Sequence, residues 1–167
     1  MKKKNFFEFN FESLKNFLIK DLEIEKKKVS MRSKQIWQSV YKKGSFEINN
    51  LSTFPLELRT KLNSLISLQK PKIINIQTSS DGTIKWLIKL FDGNEVECVY
   101  IPEKTRATLC ISSQVGCTLN CRFCHTGTQR LVKNLSFAEI VNQVMIAKEQ
   151  VNDWGEKKII TNIVLMG

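Results

Sequence analysis

Ala107-Thr-Leu-Cys-Ile-Ser112, Cys117-Thr-Leu-Asn-Cys-Arg-Phe-Cys124 and Ser136-Phe-Ala-Glu139 follow one another in the chain, and their order decides the fold. The first is a short apolar, β-branched run that predicts a strand leading into a cysteine loop. The third is a capping box, which opens a helix through Ile140, Val144, Ile146 and Ala147, with Gly155 expected to close it. Ile159–Met166 is then a nearly continuous apolar run, the pattern of a parallel strand covered on both faces. Strand, loop, helix, strand is the start of a β/α barrel with its site in the loop after the first strand. The expected class is α/β: a small helical domain, a β-meander, and the opening part of a barrel. The chain stops at Gly167, in or just beyond that strand, which reads as a sequence cut short.

The middle stretch carries the chemistry. Cys117, Cys121 and Cys124 form a C-x3-C-x2-C run, so three thiolates within eight residues can wrap one inorganic centre. Cluster sites usually supply four cysteines, and catalytic metal sites keep a position open. Three ligands therefore suggest a [4Fe-4S] cluster with one iron free to hold a small molecule. Two other readings stand beside it. Zinc favours paired C-x2-C groups, of which only Cys121 and Cys124 make one, and buried cysteines are common in cores. His125, the single histidine, follows the third cysteine directly.

Upstream, Ile73–Thr78, Ile84–Phe91 and Glu95–Ile101 are rich in β-branched and aromatic residues. Asp81-Gly82 and Asp92-Gly93-Asn94 between them are hairpin signals, so a meander precedes Ala107–Ser112. Residues 1–71 carry helical periodicity instead. Phe7, Phe11, Leu14, Phe17 and Leu18 recur at helical spacing, as do Ile36, Trp37, Val40 and Tyr41. Gly44 ends the second helix, and Pro55 opens a third that runs towards Leu68. These stripes read as a small core. Pro71 marks the expected boundary between a domain of residues 1–71 and one of residues 72–167.

The 167 residues carry a formal charge of +10, and it is uneven. Residues 1–71 hold 15 Lys/Arg against 7 Asp/Glu, whereas residues 72–167 hold 11 against 9. A basic lobe beside a nearly neutral one suggests a polyanion-binding module next to a catalytic one. Lys26, Lys27, Lys28, Arg32, Lys34, Lys42 and Lys43 are its candidate phosphate contacts. No apolar run approaches the roughly 20 residues of a membrane span. No apolar signal segment follows Met-Lys-Lys-Lys, and five cysteines suit a reducing compartment, so a cytoplasmic protein is expected.

The cysteine loop, with Phe123 before its third cysteine, looks like that of the radical S-adenosylmethionine superfamily. Val96–Pro102, Arg106–Cys117, Phe123-Cys-His-Thr-Gly-Thr-Gln129 and Lys133-Asn-Leu135 resemble the bacterial dual-specificity RNA adenine-C2 methyltransferases. The basic front, with Gln35-Ile-Trp37 and Pro55–Leu62, is similar to that family's RNA-binding accessory domain.

The resemblance implies methylation of C2 of adenosine in 23S rRNA and tRNA. It implies a [4Fe-4S] cluster on Cys117, Cys121 and Cys124, with S-adenosylmethionine at the open iron. It implies a methyl group carried by a late cysteine absent from this chain, so the isolated chain is expected to be inactive. Glu97 matches the family's proton acceptor. Cys110 matches the second active cysteine, which resolves the RNA adduct by forming a disulfide with the late one. An external electron donor of flavodoxin type and a monomeric state follow from the same resemblance. The alternative is a non-catalytic RNA-binding fragment with a zinc or empty cysteine site. Cys98 has no matching role and reads as packing.

Overall fold

The computed structural model describes residues 3–119 and 126–166. The chain divides into two compact units, Met1–Gln69 and Lys70–Gly167.

The first unit is helical. β1 (Lys4–Asn5) leads through a 3-10 turn at Phe6–Glu8 into α1 (Phe11–Lys20), followed by α2 (Lys26–Tyr41) and α3 (Leu56–Leu65). The helix expected from Phe7 onward is therefore broken, because Asn10 is an N-cap. Its side chain accepts from Ser13 N–H while the Ser13 hydroxyl accepts from Asn10 N–H, which starts α1 afresh. α2 ends at Tyr41, and Gly44 takes the left-handed conformation at φ 64° while its N–H reaches Val40 O. The apolar stripes form the core: Phe6, Phe7, Leu14, Leu18, Ile36, Val40 and Leu62 are buried. Trp37 and Tyr41 pack with ring centroids 4.6 Å apart and planes tilted at 48°, with Phe6 against both. β2 (Ile66–Ser67), directly after α3, pairs in parallel with β1 and ties the two ends of the unit together. Sequence reasoning missed this pairing, since a two-residue strand carries no periodicity.

The second unit is one five-stranded sheet with a helix on one face. Its strands are β3 (Lys72–Thr78), β4 (Ile84–Lys89), β5 (Glu95–Pro102), β6 (Ala107–Ser112) and β9 (Asn162–Met166), in that order. β3 to β6 form the antiparallel meander, with Gly82 at φ 85° and Gly93 at φ 89° in the first two of its three turns. β9 pairs in parallel with β6 after the crossover through α4 (Phe137–Gln150). Two-residue strands β7 (Gln114–Val115) and β8 (Lys133–Asn134) form a separate ladder beside the sheet.

Period-2 alternation sorts the side chains onto two faces. Trp86 and Ile88, Val96 and Cys98, and Leu109 and Ile111 turn inward and pack with Ile146 and Ala147 of α4. The other face carries Lys85 and Leu87, Glu97 and Val99, and Thr108, Cys110 and Ser112. α4 opens on the expected capping box, with Ser136 Oγ accepting from Glu139 N–H and the Glu139 carboxylate accepting from Ser136 N–H.

Two expectations for this region need correcting. α4 ends at Gln150 and not at Gly155, because Asn152 takes the left-handed conformation (φ 54°) and buried Asp153 accepts from Ile159 N–H. β9 is an edge strand and not one covered on both faces, with Ile163, Val164 and Leu165 exposed. Its apolar composition reports what could cover a strand, and no described element does so.

Candidate active site on the open sheet face

The cysteine loop leaves the sheet at the C-terminal ends of the two parallel strands. Ser113 donates from its N–H (3.0 Å) and its hydroxyl (2.9 Å) to Met166 O at the end of β9. Beyond it the β7–β8 ladder closes the base of the loop, helped by Gln114 Nε2 donating to Asn134 Oδ1 at 2.8 Å. Cys117 N–H reaches Gln129 O across the loop at 3.2 Å, and Val132 N–H reaches Val115 O at 2.8 Å. Gly116 makes this closure possible. Its φ is +77°, and a Cβ there would lie 2.1 Å from Arg130 O. A side chain cannot share that space with a backbone oxygen.

Of the candidate cluster ligands, Cys117 falls within the described residues, while Cys121 and Cys124, with His125, lie outside them. Cys117 is half-buried, and its Sγ accepts from Leu119 N–H at 3.4 Å. Backbone N–H groups aimed at cysteine sulfur stabilise thiolate charge and tune bound iron. This fits Cys117 as one ligand of an iron–sulfur cluster. Among the described residues no group of three or more His, Cys, Asp or Glu stands ready to hold a metal ion.

Glu97 and Cys110 share the open face on adjacent strands. Cys110 is directly opposite Val99, the next residue after Glu97 on that face. Glu97 O accepts from the Ser112 hydroxyl at 2.8 Å, and the Glu97 carboxylate pairs with Lys85 Nζ at 2.9 Å. Cys110 is half-buried, and burial pushes its thiol above the ordinary value. Near neutral pH the group is therefore a thiol, and it needs a base before it attacks. Cys98 faces the other way into the core, where burial raises its thiol to about 12 and fixes it as packing. Cys98, Cys110 and Cys117 are all free thiols, so no disulfide involves any of them.

Two positioning groups escaped sequence reasoning. Gln143 is fully buried on α4, and its amide brackets Ser112, accepting from Ser112 N–H at 2.8 Å and donating to Ser112 O at 2.9 Å. It fixes the end of β6, where the loop departs. A glutamine in line with Ile140, Val144 and Ala147 was the available signal. Lys133 pairs with Asp92 of the β4–β5 turn and, at 2.6 Å, with Glu139 of the capping box. The Lys133 ion pair holds the Asp92 carboxyl down to about 2. Burial opposes ionisation of Glu139, but the Lys133 and Ser136 hydrogen bonds outweigh it and hold that carboxyl below its usual value.

Both depressed carboxyls stabilise the fold fully above the ordinary carboxylate range, and each contribution is lost as pH falls through its lowered value, for Asp92 towards about 2. Acid denaturation followed by circular dichroism should therefore show a steep loss below about pH 4.5. Lys133→Met should make that acid limb shallower. An unchanged slope would remove the triad from the account.

No helix among the described residues is long and apolar enough to cross a membrane. No family model matches the chain. Its sequence is 46% identical over 159 residues to a dual-specificity RNA methyltransferase RlmN of Bradyrhizobium sp., covering 88% of this chain and 40% of the relative. It is 48% identical over 149 residues to the enzyme of that name from Nitrobacter winogradskyi, covering 82% and 38%. The chain thus spans about two fifths of the length of the curated relatives it matches. The crystal structure of a radical SAM methyltransferase from Sphaerobacter thermophilus superposes with a TM-score of 0.83 at 30% identity, over 98% of this chain and 46% of that one. Sequence and fold agree: the chain belongs to the family of the RlmN dual-specificity RNA methyltransferases, among the radical SAM methyltransferases.

Proposed function

We propose that this chain provides the RNA-binding front and the cluster-bearing start of an enzyme that methylates C2 of adenosine in 23S rRNA and tRNA. The observation that carries the reading is the open sheet face, where Glu97 and Cys110 lie on adjacent strands just before the loop of Cys117. Cys117, Cys121 and Cys124 are the residues that would hold a [4Fe-4S] cluster. When bound, that cluster supplies the single electron that opens S-adenosylmethionine at its sulfonium, with a flavodoxin-type protein as the external donor. Glu97 accepts the proton that leaves C2, from a position held by Lys85. Cys110 is the resolving thiol, which frees the methylated base from a second cysteine by forming a disulfide with it. The neutral Cys110 thiol must first lose its proton, so this step depends on a base within reach.

The helical unit supplies phosphate contacts. Lys26, Lys34, Lys42 and Lys43 are exposed on or beside α2. Lys27 and Lys28 pair with Glu25, while Arg32 is engaged with Gln35, Thr53 O and the Phe54 ring. The first group, not the second, should carry affinity for RNA. The protein works as a cytoplasmic monomer in this reading.

Anaerobic reconstitution with iron and sulfide tests the cluster. A broad visible absorbance is expected, and it should vanish in the Cys117/Cys121/Cys124→Ala triple variant. Stoichiometric zinc without that absorbance would sink the cluster. RNA affinity tests the helical unit: log K should fall linearly with log salt, and the slope should be shallower in a Lys42→Ala, Lys43→Ala double variant. The reduction should be about 0.7–0.9 for each phosphate that the variant no longer neutralises. Binding that ignores salt would overturn that role.

A further inference from the structure

The register of the sheet places more on the open face than Glu97 and Cys110. β3 carries a bulge between Ile73 and Asn75: Ile73 pairs with Ile88, but Asn75, not Ile74, pairs with Leu87. One extra residue reverses the facing of everything after it. Without the bulge, Asn75 and Gln77 would face the helix side. With it, Ile76 shares the side of Trp86, and the two amides join Leu87 and Lys85 on the open face. Following the pairings across the sheet gives two rows. One runs Asn75, Leu87, Glu97, and the other runs Gln77, Lys85, Val99, Cys110. Asn75, Gln77, Lys85, Leu87 and Glu97 together line a shallow cavity of about 50 Å³.

The first row has the chemistry and the span of a base-reading site. Asn75 is exposed, and among the described residues its amide makes no side-chain hydrogen bond. It offers one donor group and one acceptor. An Asn amide matches the N6-amino donor and N7 acceptor of adenine in a bidentate pair. Two strand spacings separate β3 from β5 by about 9–10 Å. That is the width of one purine flanked by hydrogen-bond distances of roughly 3 Å at each end. Leu87, between the two polar groups, is an apolar floor for the face of the ring.

We infer that Asn75 is a specificity-determining residue that reads the N6/N7 edge of the target adenine and so presents its C2 end to Glu97. The inference rests on the proposed reading of Glu97 and adds the orientation of the base. C2 and the N6/N7 edge lie at opposite ends of adenine, whereas C8 adjoins N7. A base held by Asn75 therefore keeps C8 away from Glu97, and the choice of carbon follows from the bulge. Lys85, paired to Glu97, closes the side of the site towards Gln77.

The test uses this chain and fluorescence anisotropy with three labelled uridine nonamers. They carry at the centre adenosine, 7-deazaadenosine (no N7 acceptor) or purine riboside (no N6 amine). The wild type should bind the adenosine oligomer about five- to a hundredfold more tightly than either analogue. Asn75→Ala should bring all three to one affinity. Asn75→Asp keeps an acceptor and loses the donor, so it should still reject purine riboside but no longer reject 7-deazaadenosine. Salt-dependent binding with equal affinity for the three oligomers in the wild type, or discrimination that survives Asn75→Ala, overturns the inference and leaves the RNA reading standing. No binding of any oligomer overturns both.

Discussion

Gly116→Ala should abolish cluster assembly while leaving the sheet folded. The residue before Cys117 sits at φ +77°, and an added Cβ would meet Arg130 O at 2.1 Å and Arg130 C at 2.7 Å. The left-handed conformation alone costs an L-residue about 1–2 kcal/mol. The clash is worse, because the obstructing atom is backbone and cannot swing aside. Arg130 belongs to the return limb of the loop, which is held by Cys117 N–H to Gln129 O and by Val132 N–H to Val115 O. Relieving the clash means opening the base that sets Cys117, so the proposed cluster would lose the placement of that ligand. Iron per reconstituted chain should fall from about four, the content of a [4Fe-4S] cluster, to background. Far-ultraviolet circular dichroism should stay close to the wild type. Gly93→Ala is the control, since Gly93 has the same sign of φ but nothing within 4 Å of its Cβ position. It should lose only the conformational cost, about 1 kcal/mol, and keep its iron. Full iron content in Gly116→Ala would show that the loop base does not position the site.

Trp86→Ala should unfold the second unit or bring it close to unfolding. Trp86 is 1% exposed and lies in the core that β4, β5 and β6 share with α4. Truncating a buried aromatic of this size costs about 3–5 kcal/mol, against a typical domain stability of about 5–15 kcal/mol. The chain has two compact units, so denaturation should be followed by probes in each. Only the transition of the sheet should move to lower urea. Trp86→Phe should recover most of the loss, because it keeps a ring and leaves a smaller cavity. A mutant whose sheet transition did not move would show that the face against α4 is not the core.

Much of this was legible in the sequence because the signals were local. Ser136 and Glu139 name the start of α4 through two hydrogen bonds between residues within one turn of each other. Asp81-Gly82 and Asp92-Gly93 name the hairpins, because each supplies the positive φ its turn needs. The strand Ala107–Ser112 was readable residue for residue. The end of α4 was not. Gly155 carried the obvious stop signal, yet Asn152 and the Asp153 bond to Ile159 stop the helix earlier. Asp153 acts through a residue beyond the helix, and composition does not reveal such partners.

The candidate site divides along the same line. Cysteine spacing belongs to the sequence, whereas the closed base that sets Cys117 comes from the β7–β8 ladder and the return limb at Gln129 and Arg130. The strand identity of Glu97 and Cys110 was also readable. Their placement on one face, with Asn75 and Lys85 beside them, came from the way the strands pair. Plain alternation from Ile73 would put Asn75 and Gln77 on the side of Ile73, the side packed against α4; the bulge at Ile74 sends them to the open face. A bulge is settled by the register of β3 against β4, which is a property of paired strands. The order of residues thus dictates which chemical groups are present and which elements bear them. Packing dictates which groups look at one another, because facing in a sheet depends on register, and register is an agreement between strands.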